Sequence, residues 1–379
     1  MTLLPPKKVF LAAGGTGGHM FPAQALAREL IARGIEVALI TDKRGGGFGP
    51  ELSQVETHHI SAGGVAGAGL TKRLRSFVQL GLGYLRARRL IRGSGADAVV
   101  GFGGYASVPT VLAGAHLGRR IVLHEQNSVL GRANRLLARR ANAIATSFNQ
   151  VFDVAAAHRE KITITGNPVR AKIEDLGNRP YGVPDSGDVF RLLVVGGSQG
   201  ARVFNEIVPA AIGRLPADLR ARLVVSQQVP GRALAEVAAA YDSCGVRHDL
   251  APYFADVPER LAAAHLVISR SGASTVAELA AAGRPAILVP YPHATDDHQT
   301  RNAQALSTVG GGWLMLQSDL TAASLAERLT SLLASPALLT RAARCAHAAA
   351  HRDAARRLAD VVCGQRGANG DERHQEAAA

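Results

Sequence analysis

Aromatic residues make up only 4% of this 379-residue sequence, with a single tryptophan. A chain so poor in rings has little with which to stack nucleic-acid bases, so nucleic acid is not the expected partner. Its three cysteines, Cys244, Cys345 and Cys363, form no CxxC pair and no other metal-ligand spacing. Neither a zinc site nor a disulfide framework is expected, and an odd count without a signal peptide reads as a reduced, cytoplasmic protein. The opening run Lys7-Lys8-Val9-Phe10-Leu11 is basic and then apolar, but glycines end it too early for a signal-sequence core. No segment offers about 18–20 continuous apolar residues, so any membrane contact is expected to be peripheral. Acids are also short: 43 Lys and Arg against 30 Asp and Glu leave a formal charge of +13. Such an excess points to an anionic partner, whether nucleic acid, lipid surface or phosphorylated substrate, without choosing among them.

What is present is an alternation of apolar runs and helical stretches, the pattern of a parallel sheet covered on both faces. Residues 9–13 read as a strand, followed by a glycine turn and a helix through Pro22 to Arg33. Residues 36–41, 98–101, 121–124 and 143–146 continue the sheet. The programme then restarts: residues 191–195 form a strand, a second glycine turn leads to a helix from Ala201, and strands follow at 223–226, 266–269 and 286–290. The length and the repetition predict two similar α/β domains. Their boundary is expected near Gly166-Asn167-Pro168, giving domains of 1–167 and 168–349, a last helix at about 350–364 and a disordered tail at 365–379.

The turns Gly14-Gly15-Thr16-Gly17-Gly18 and Gly196-Gly197-Ser198-Gln199-Gly200 each join a strand to a helix. There, unpaired backbone N–H groups and the helix dipole suit a diphosphate, and glycine lets it approach without a Cβ in the way. Neither turn is GxGxxG in register or a P-loop, and such turns also occur merely to let a helix pack closely. A third segment, Ser269-Arg270-Ser271-Gly272-Ala273-Ser274-Thr275-Val276-Ala277-Glu278, follows a strand. It reads either as a capping box between Thr275 and Glu278 or as hydroxyls on phosphate and Glu278 on sugar. Residues 290–302 carry His and Asp, but Asp296-Asp297 is adjacent rather than DxD, so sugar binding through Gln299 is the better use of that loop than a metal. Residues 72–92 hold seven basic residues and no acid, with Leu74, Phe77, Val78, Leu82 and Leu85 near one helical face. That face either lies on anionic lipid or packs on the sheet, and Gly81 and Gly83 cost the helix about 1 kcal/mol each.

Taken in order, Gly14-Gly15-Thr16-Gly17-Gly18-His19-Met20-Phe21-Pro22, Gly101-Phe102-Gly103-Gly104-Tyr105, His124-Glu125-Gln126-Asn127, Gly166-Asn167-Pro168-Val169-Arg170, Gly196-Gly197-Ser198-Gln199-Gly200 and Ser271-Gly272-Ala273-Ser274-Thr275 resemble the MurG family of glycosyltransferases (family 28). The resemblance runs from about Lys8 to Arg357. It implies a GT-B fold, two Rossmann-like domains facing across a cleft, with the last helix returning to the N-terminal domain. The implied activity is inverting transfer of GlcNAc from UDP-GlcNAc to the 4-hydroxyl of MurNAc in undecaprenyl-diphospho-MurNAc-pentapeptide (lipid I). Lipid II for peptidoglycan would be the product, made peripherally at the cytoplasmic face of the inner membrane, with no cofactor or metal.

Carried onto this chain, the resemblance puts Ser198 and Arg170 on the diphosphate. Ala273, Ser274, Thr275, Val276 and Ala277 line the nucleotide, and Glu278 takes the ribose hydroxyls. Phe254 offers backbone to uracil and Gln299 binds GlcNAc. Thr16, Gly17, Gly18 and Asn127 meet the donor sugar. Phe254 and His298 depart from residues common in the family. Inversion needs a base on the acceptor hydroxyl, for which His19 is the first candidate and Glu125 the second. Other readings stay open: a nicotinamide-dependent oxidoreductase with Asp42 on a ribose, a binding module driven by charge, and a transferase with another donor or acceptor.

Overall fold

The computed structural model describes residues 4–14, 17–42, 46–49, 52–62, 70–184, 187–197 and 201–365, the side chains of 70–75 excepted. Thr16, Ser198 and the tail from 366 lie outside this set. Backbone contacts divide the chain into two compact units, Met1–Val169 with Asp353–Ala379, and Arg170–Arg352.

In the first unit the strands are β1 (Lys8–Ala12), β2 (Glu36–Thr41), β3 (Glu56–His59), β4 (Ala98–Gly101), β5 (Arg120–Glu125), β6 (Ala143–Thr146) and β7 (Ile162–Ile164). They form one sheet in the order β3-β2-β1-β4-β5-β6-β7, and every pairing is parallel. The helices here are α1 (Gly17–Ala32), α2 (Leu70–Ser94), α3 (Ser107–His116) and α4 (Arg132–Leu137). The second unit holds α5 (Ala171–Glu174), α6 (Arg202–Gly213), α7 (Ala217–Ala221), α8 (Leu234–Ser243), α9 (Val257–Ala263), α10 (Ala273–Ala281), α11 (His298–Ser307), α12 (Ala322–Leu333) and α13 (Pro336–Ala348). Its strands are β8 (Phe190–Val195), β9 (Leu223–Gln228), β10 (Arg247–Ala251), β11 (Leu266–Ser269), β12 (Ala286–Leu288) and β13 (Gly312–Leu314). Their order is β10-β9-β8-β11-β12-β13, again all parallel. The last helix, α14 (Ala354–Val362), belongs to the first unit.

Both sheets are therefore doubly wound. Strand order reverses between β1 and β4 in one and between β8 and β11 in the other, and such a reversal opens a crevice at the strands' carboxyl ends. Each glycine turn leaves the first strand beside its reversal.

Alternation along the strands supplies two apolar faces. Val9, Leu11 and Leu39 pack with Leu26 and Leu30 of α1 and with Leu358 and Val362 of α14. Phe10, Ala38 and Ile40 face the opposite way, toward Ala87 and Ile91 of α2. Arg33 joins α1 to α14, donating to Glu29 Oε1 at 2.8 Å and to Asp360 Oδ1 at 2.7 Å. In the second unit Phe190, Leu192 and Val194 bury against Phe204 and Val208 of α6, Tyr241 of α8 and Leu329 of α12.

Gly81 and Gly83 of α2 differ in kind. A Cβ at Gly81 would meet nothing, whereas one at Gly83 would collide with the Ser61 carbonyl oxygen and lie 3.6 Å from Pro109. Gly83 thus permits close packing, at the helix-propensity cost noted above. Gly83→Ala is expected to destabilise the first unit by about 1–3 kcal/mol through overpacking. Gly81→Ala should be neutral or stabilising by up to about 1 kcal/mol. Urea unfolding of the two variants checks the contrast.

Candidate functional site

In the first unit the carboxyl ends of β1, β4 and β5 converge on His19. Helix α1 begins at Gly17, so His19 stands in its first turn, just beyond the end of β1. Gly103 and Gly104, in the turn after β4, have φ of +84° and +74°, a conformation that favours glycine. Ser107 Oγ pins that turn, lying 2.8 Å from the Ala12 carbonyl and 2.6 Å from that of Gly103. These glycines line the imidazole: a Cβ at Gly14, Gly103 or Gly104 would sit in van der Waals contact with it, 3.6, 3.4 or 3.6 Å from ring atoms of His19. The ring thus lies in a glycine-lined notch, with Nδ1 3.1 Å from Gln126 Oε1.

Glu125 ends β5, 2% exposed. Its Oε1 accepts from the backbone and side-chain amides of Asn127 at 3.0 and 3.2 Å. Its Oε2 accepts from Gly131 N and Asn134 Nδ2, both at 2.8 Å. Four donors converge on one carboxylate, which thereby holds residues 127–134 in place. Taking a proton from an acceptor sugar would require one of those bonds to break.

In the second unit the ends of β11 and β12 bring together Ser271, Glu278 and Gln299. Ser271 Oγ donates to the Gln299 carbonyl at 2.8 Å, and buried Asn302 Nδ2 donates to the Ser271 carbonyl at 3.1 Å. Gln299 Oε1 accepts from Tyr291 N at 2.9 Å. The capping-box reading of Thr275 and Glu278 is overturned. The N-cap of α10 is Gly272, with no side-chain cap, and Glu278 instead receives a two-pronged contact from Arg170. The distances are 2.9 Å from Nε to Oε1 and 3.0 Å from Nη2 to Oε2, and a planar guanidinium suits that fork. Burial pushes the Glu278 carboxyl up and the Arg170 charge offsets part of that. Having no side-chain cap, α10 leaves first-turn N–H groups directed at whatever anion approaches.

The remaining expected residues are placed as follows. Ala273, Ser274, Thr275, Val276 and Ala277 form the opening turns of α10, and the Ser274 Oγ is buried with no partner among the described residues. Phe254 lies in the loop between β10 and α9, 4% exposed and under the Arg260 guanidinium, whose Cζ is 3.8 Å from the ring centre. Only its backbone can therefore serve a ligand. Gly17 and Gly18 open α1, while Thr16 and Ser198 lie outside the described residues. In the 290–302 loop Asp296 and Asp297 have left-handed φ of +54° and +50°, and strained backbone of this kind clusters at ligand-binding loops. Among the described residues no group of three or more His, Cys, Asp or Glu is placed to hold a metal.

Arg270 stands in the third candidate segment, but the sequence gives it no role. Buried just after β11, it donates to the carbonyls of Val289 and Pro290 at 3.3 and 3.0 Å and to Gln317 Oε1 at 2.7 Å, fixing the loop that carries Tyr291. A charged residue next to Ser271 was visible, but its partners lie 19 to 47 positions away.

Helix α2 overturns the packed-face reading for Phe77, Val78, Leu82 and Leu85, while the side chain of Leu74 lies outside the described residues. Ser76, Gly83, Ala87 and Ile91 point inward, while Phe77, Val78, Leu82 and Leu85 are 55–61% exposed, beside exposed Arg86, Arg88, Arg89 and Arg92. No described helix is long and apolar enough to cross a membrane.

Similarity to known proteins matches this geometry. Residues 9–146 match the glycosyltransferase family 28 N-terminal domain, and residues 191–358 match the family 28 C-terminal domain. A protein of Rhodospirillum centenum is 54% identical, covering 95% of this chain and 94% of the relative. Another, of Paramagnetospirillum magneticum, is 54% identical across 94% of this chain and 96% of its own. Both are named UDP-N-acetylglucosamine–N-acetylmuramyl-(pentapeptide) pyrophosphoryl-undecaprenol N-acetylglucosamine transferase. The crystal structure of Acinetobacter baumannii MurG superposes with a TM-score of 0.76 at 29% identity, covering 94% of this chain and 99% of that one. The oxidoreductase reading of the paired sheets is thereby set aside. With two GT-B-type Rossmann-like units, matches to both family domains and relatives alike along nearly its full length, this chain belongs to glycosyltransferase family 28.

Proposed function

We propose that this chain transfers GlcNAc from UDP-GlcNAc to the 4-hydroxyl of MurNAc in undecaprenyl-diphospho-MurNAc-pentapeptide, with inversion at the anomeric carbon. The observation that carries the reading is the 54% identity, along 95% of the chain, to a relative bearing the name of that transferase. The geometry supports a division of labour. Residues 1–167 with the last helix serve the acceptor and the membrane, and residues 168–349 serve the nucleotide sugar.

In this reading the acceptor hydroxyl attacks C1 from the face opposite UDP. Its proton passes to His19 Nε2 as the C1–O bond to the β-phosphate breaks. Of the two candidate bases His19 is favoured, because the four donors on Glu125 commit that carboxylate to the loop. Charge gathering on the departing UDP meets the uncapped start of α10 through residues 273–277, with Arg170 and Ser198 on the diphosphate. Glu278 takes the ribose hydroxyls, Gln299 the GlcNAc hydroxyls, and the backbone at Phe254 the uracil. Thr16, Gly17, Gly18 and Asn127 complete the donor-sugar contacts. Incubation with labelled UDP-GlcNAc and a lipid-linked MurNAc-pentapeptide analogue tests the assignment: label should move to the lipid acceptor. UDP release without labelled lipid, or no turnover with this pair, would contradict it.

The outward face of α2 supports peripheral attachment to anionic lipid at the cytoplasmic face of the inner membrane. Apolar side chains ringed by arginine and free of acid suit that surface. Each arginine near such a surface contributes about 1 kcal/mol, so neutralising Arg86, Arg88 and Arg89 should weaken vesicle binding on the order of 100-fold. Adding Phe77→Asp should weaken it further. Co-sedimentation with phosphatidylglycerol vesicles reads the effect, and unchanged binding would refute the placement.

A further inference from the structure

His19 sits at one end of a hydrogen-bonded chain whose proton positions are set by main-chain carbonyls, which can only accept. The His124 carbonyl oxygen lies 3.2 Å from Gln126 Nε2, so the nitrogen end of that side-chain amide must face it. The second hydrogen on the same nitrogen points to His124 Nδ1 at 2.9 Å, which must therefore carry a lone pair. The His124 proton is then on Nε2, where it donates to the Gly166 carbonyl at 3.3 Å. Both His124 and Gln126 are buried, and burial pushes the His124 pKa down to about 4, consistent with a neutral ring. With the amide nitrogen committed twice, the oxygen Oε1 faces His19 Nδ1 at 3.1 Å. An oxygen can only accept there, so Nδ1 carries the hydrogen, and in the neutral ring the lone pair belongs to Nε2.

We propose that Gln126, oriented by His124, is a positioning residue that fixes His19 in its Nδ1–H tautomer and so presents Nε2 as the base. This rests on the reading of His19 as the base and adds how its basic nitrogen is chosen. Turning the Gln126 amide over would set its oxygen against the His124 carbonyl and its nitrogen against an N–H, so the chain resists reversal. Gln126 and His124 need touch neither sugar to act.

The test is nitrogen-15 NMR of the full chain labelled at histidine, with His19→Asn and His124→Asn assigning the two rings. The parent should show His19 protonated at Nδ1 and bare at Nε2. Gln126→Met has similar length but no acceptor oxygen. It should mix or reverse that tautomer and lower kcat by about 10²-fold, with the KM for UDP-GlcNAc unchanged. Should Gln126→Met fail to fold, His124→Leu and His124→Asn form the second pair. His124→Leu should loosen the tautomer, while His124→Asn, whose Oδ1 can accept where Nδ1 did, should retain it and keep kcat within about fivefold of the parent. A parent His19 protonated at Nε2, or a Gln126→Met variant with an unchanged tautomer, would overturn the proposal. A shifted tautomer with unchanged kcat would uphold the positioning while removing His19 as the base.

Discussion

His19→Asn is expected to lower kcat by about 10³-fold while leaving the KM for UDP-GlcNAc within about threefold of the parent. Asparagine keeps an N–H donor near the Nδ1 position, so the contact to Gln126 Oε1 can survive, but it has no basic nitrogen to take the acceptor proton. The glycine notch built by Gly14, Gly103 and Gly104 does not depend on the imidazole, so the fold should stand. Of the proposed donor contacts, those of Arg170, Glu278 and Gln299 lie in the other unit and those of Thr16, Gly17, Gly18 and Asn127 do not use the imidazole, which is why KM for the nucleotide sugar should hold. Steady-state rates over a range of UDP-GlcNAc, with unfolding measured in parallel, check both halves. A kcat within tenfold of the parent together with a lowered stability would reduce His19 to a structural part of its turn.

Glu125→Gln should behave differently, as loss of a scaffold. The carboxylate accepts from Asn127 N, Asn127 Nδ2, Gly131 N and Asn134 Nδ2. Glutamine has one accepting oxygen, so its NH2 must confront one of the two donor pairs at a site only 2% exposed. Stranding buried donors costs about 1–3 kcal/mol each, and the charge assistance is lost as well. A destabilisation of about 3 kcal/mol or more in the first unit is expected, with faster amide hydrogen exchange at Asn127 and Gly131. Trp313, the only tryptophan, packs in the second unit and would report that unit instead, so exchange is the appropriate probe. If Glu125 were also the base, kcat of the fraction that remains folded would fall about 10³-fold, beyond what the loss of stability accounts for.

These two residues also show what was legible beforehand. The sequence ranks His19 first and Glu125 second as the base, but it does not show the donors that commit Glu125, because they come from a loop whose path depends on the fold. Gln126 had no signal of its own, since its role lies in contacts to His19, 107 positions away, and to a ring two positions before it. Strands divide in a similar way. The nine interior strands have apolar runs, because parallel strands buried on both faces must be apolar throughout. The missed strands, β3, β7, β10 and β13, are the four sheet edges. Glu56-Thr57-His58-His59 and Arg247-His248-Asp249-Leu250-Ala251 are polar because an edge meets water on one side. At α2, periodicity found the apolar stripe but not its direction. That direction follows from Gly83, whose missing Cβ admits Ser61 and turns Phe77, Val78, Leu82 and Leu85 outward.

The central claim is a single inverting displacement onto the MurNAc hydroxyl. The measurement that tests it most directly is the anomeric configuration of the disaccharide-lipid made from UDP-GlcNAc, whose sugar is α-linked, read from the proton coupling at C1. A β-1,4 linkage is the predicted result. An α-linked disaccharide, or free GlcNAc released to water, would contradict it.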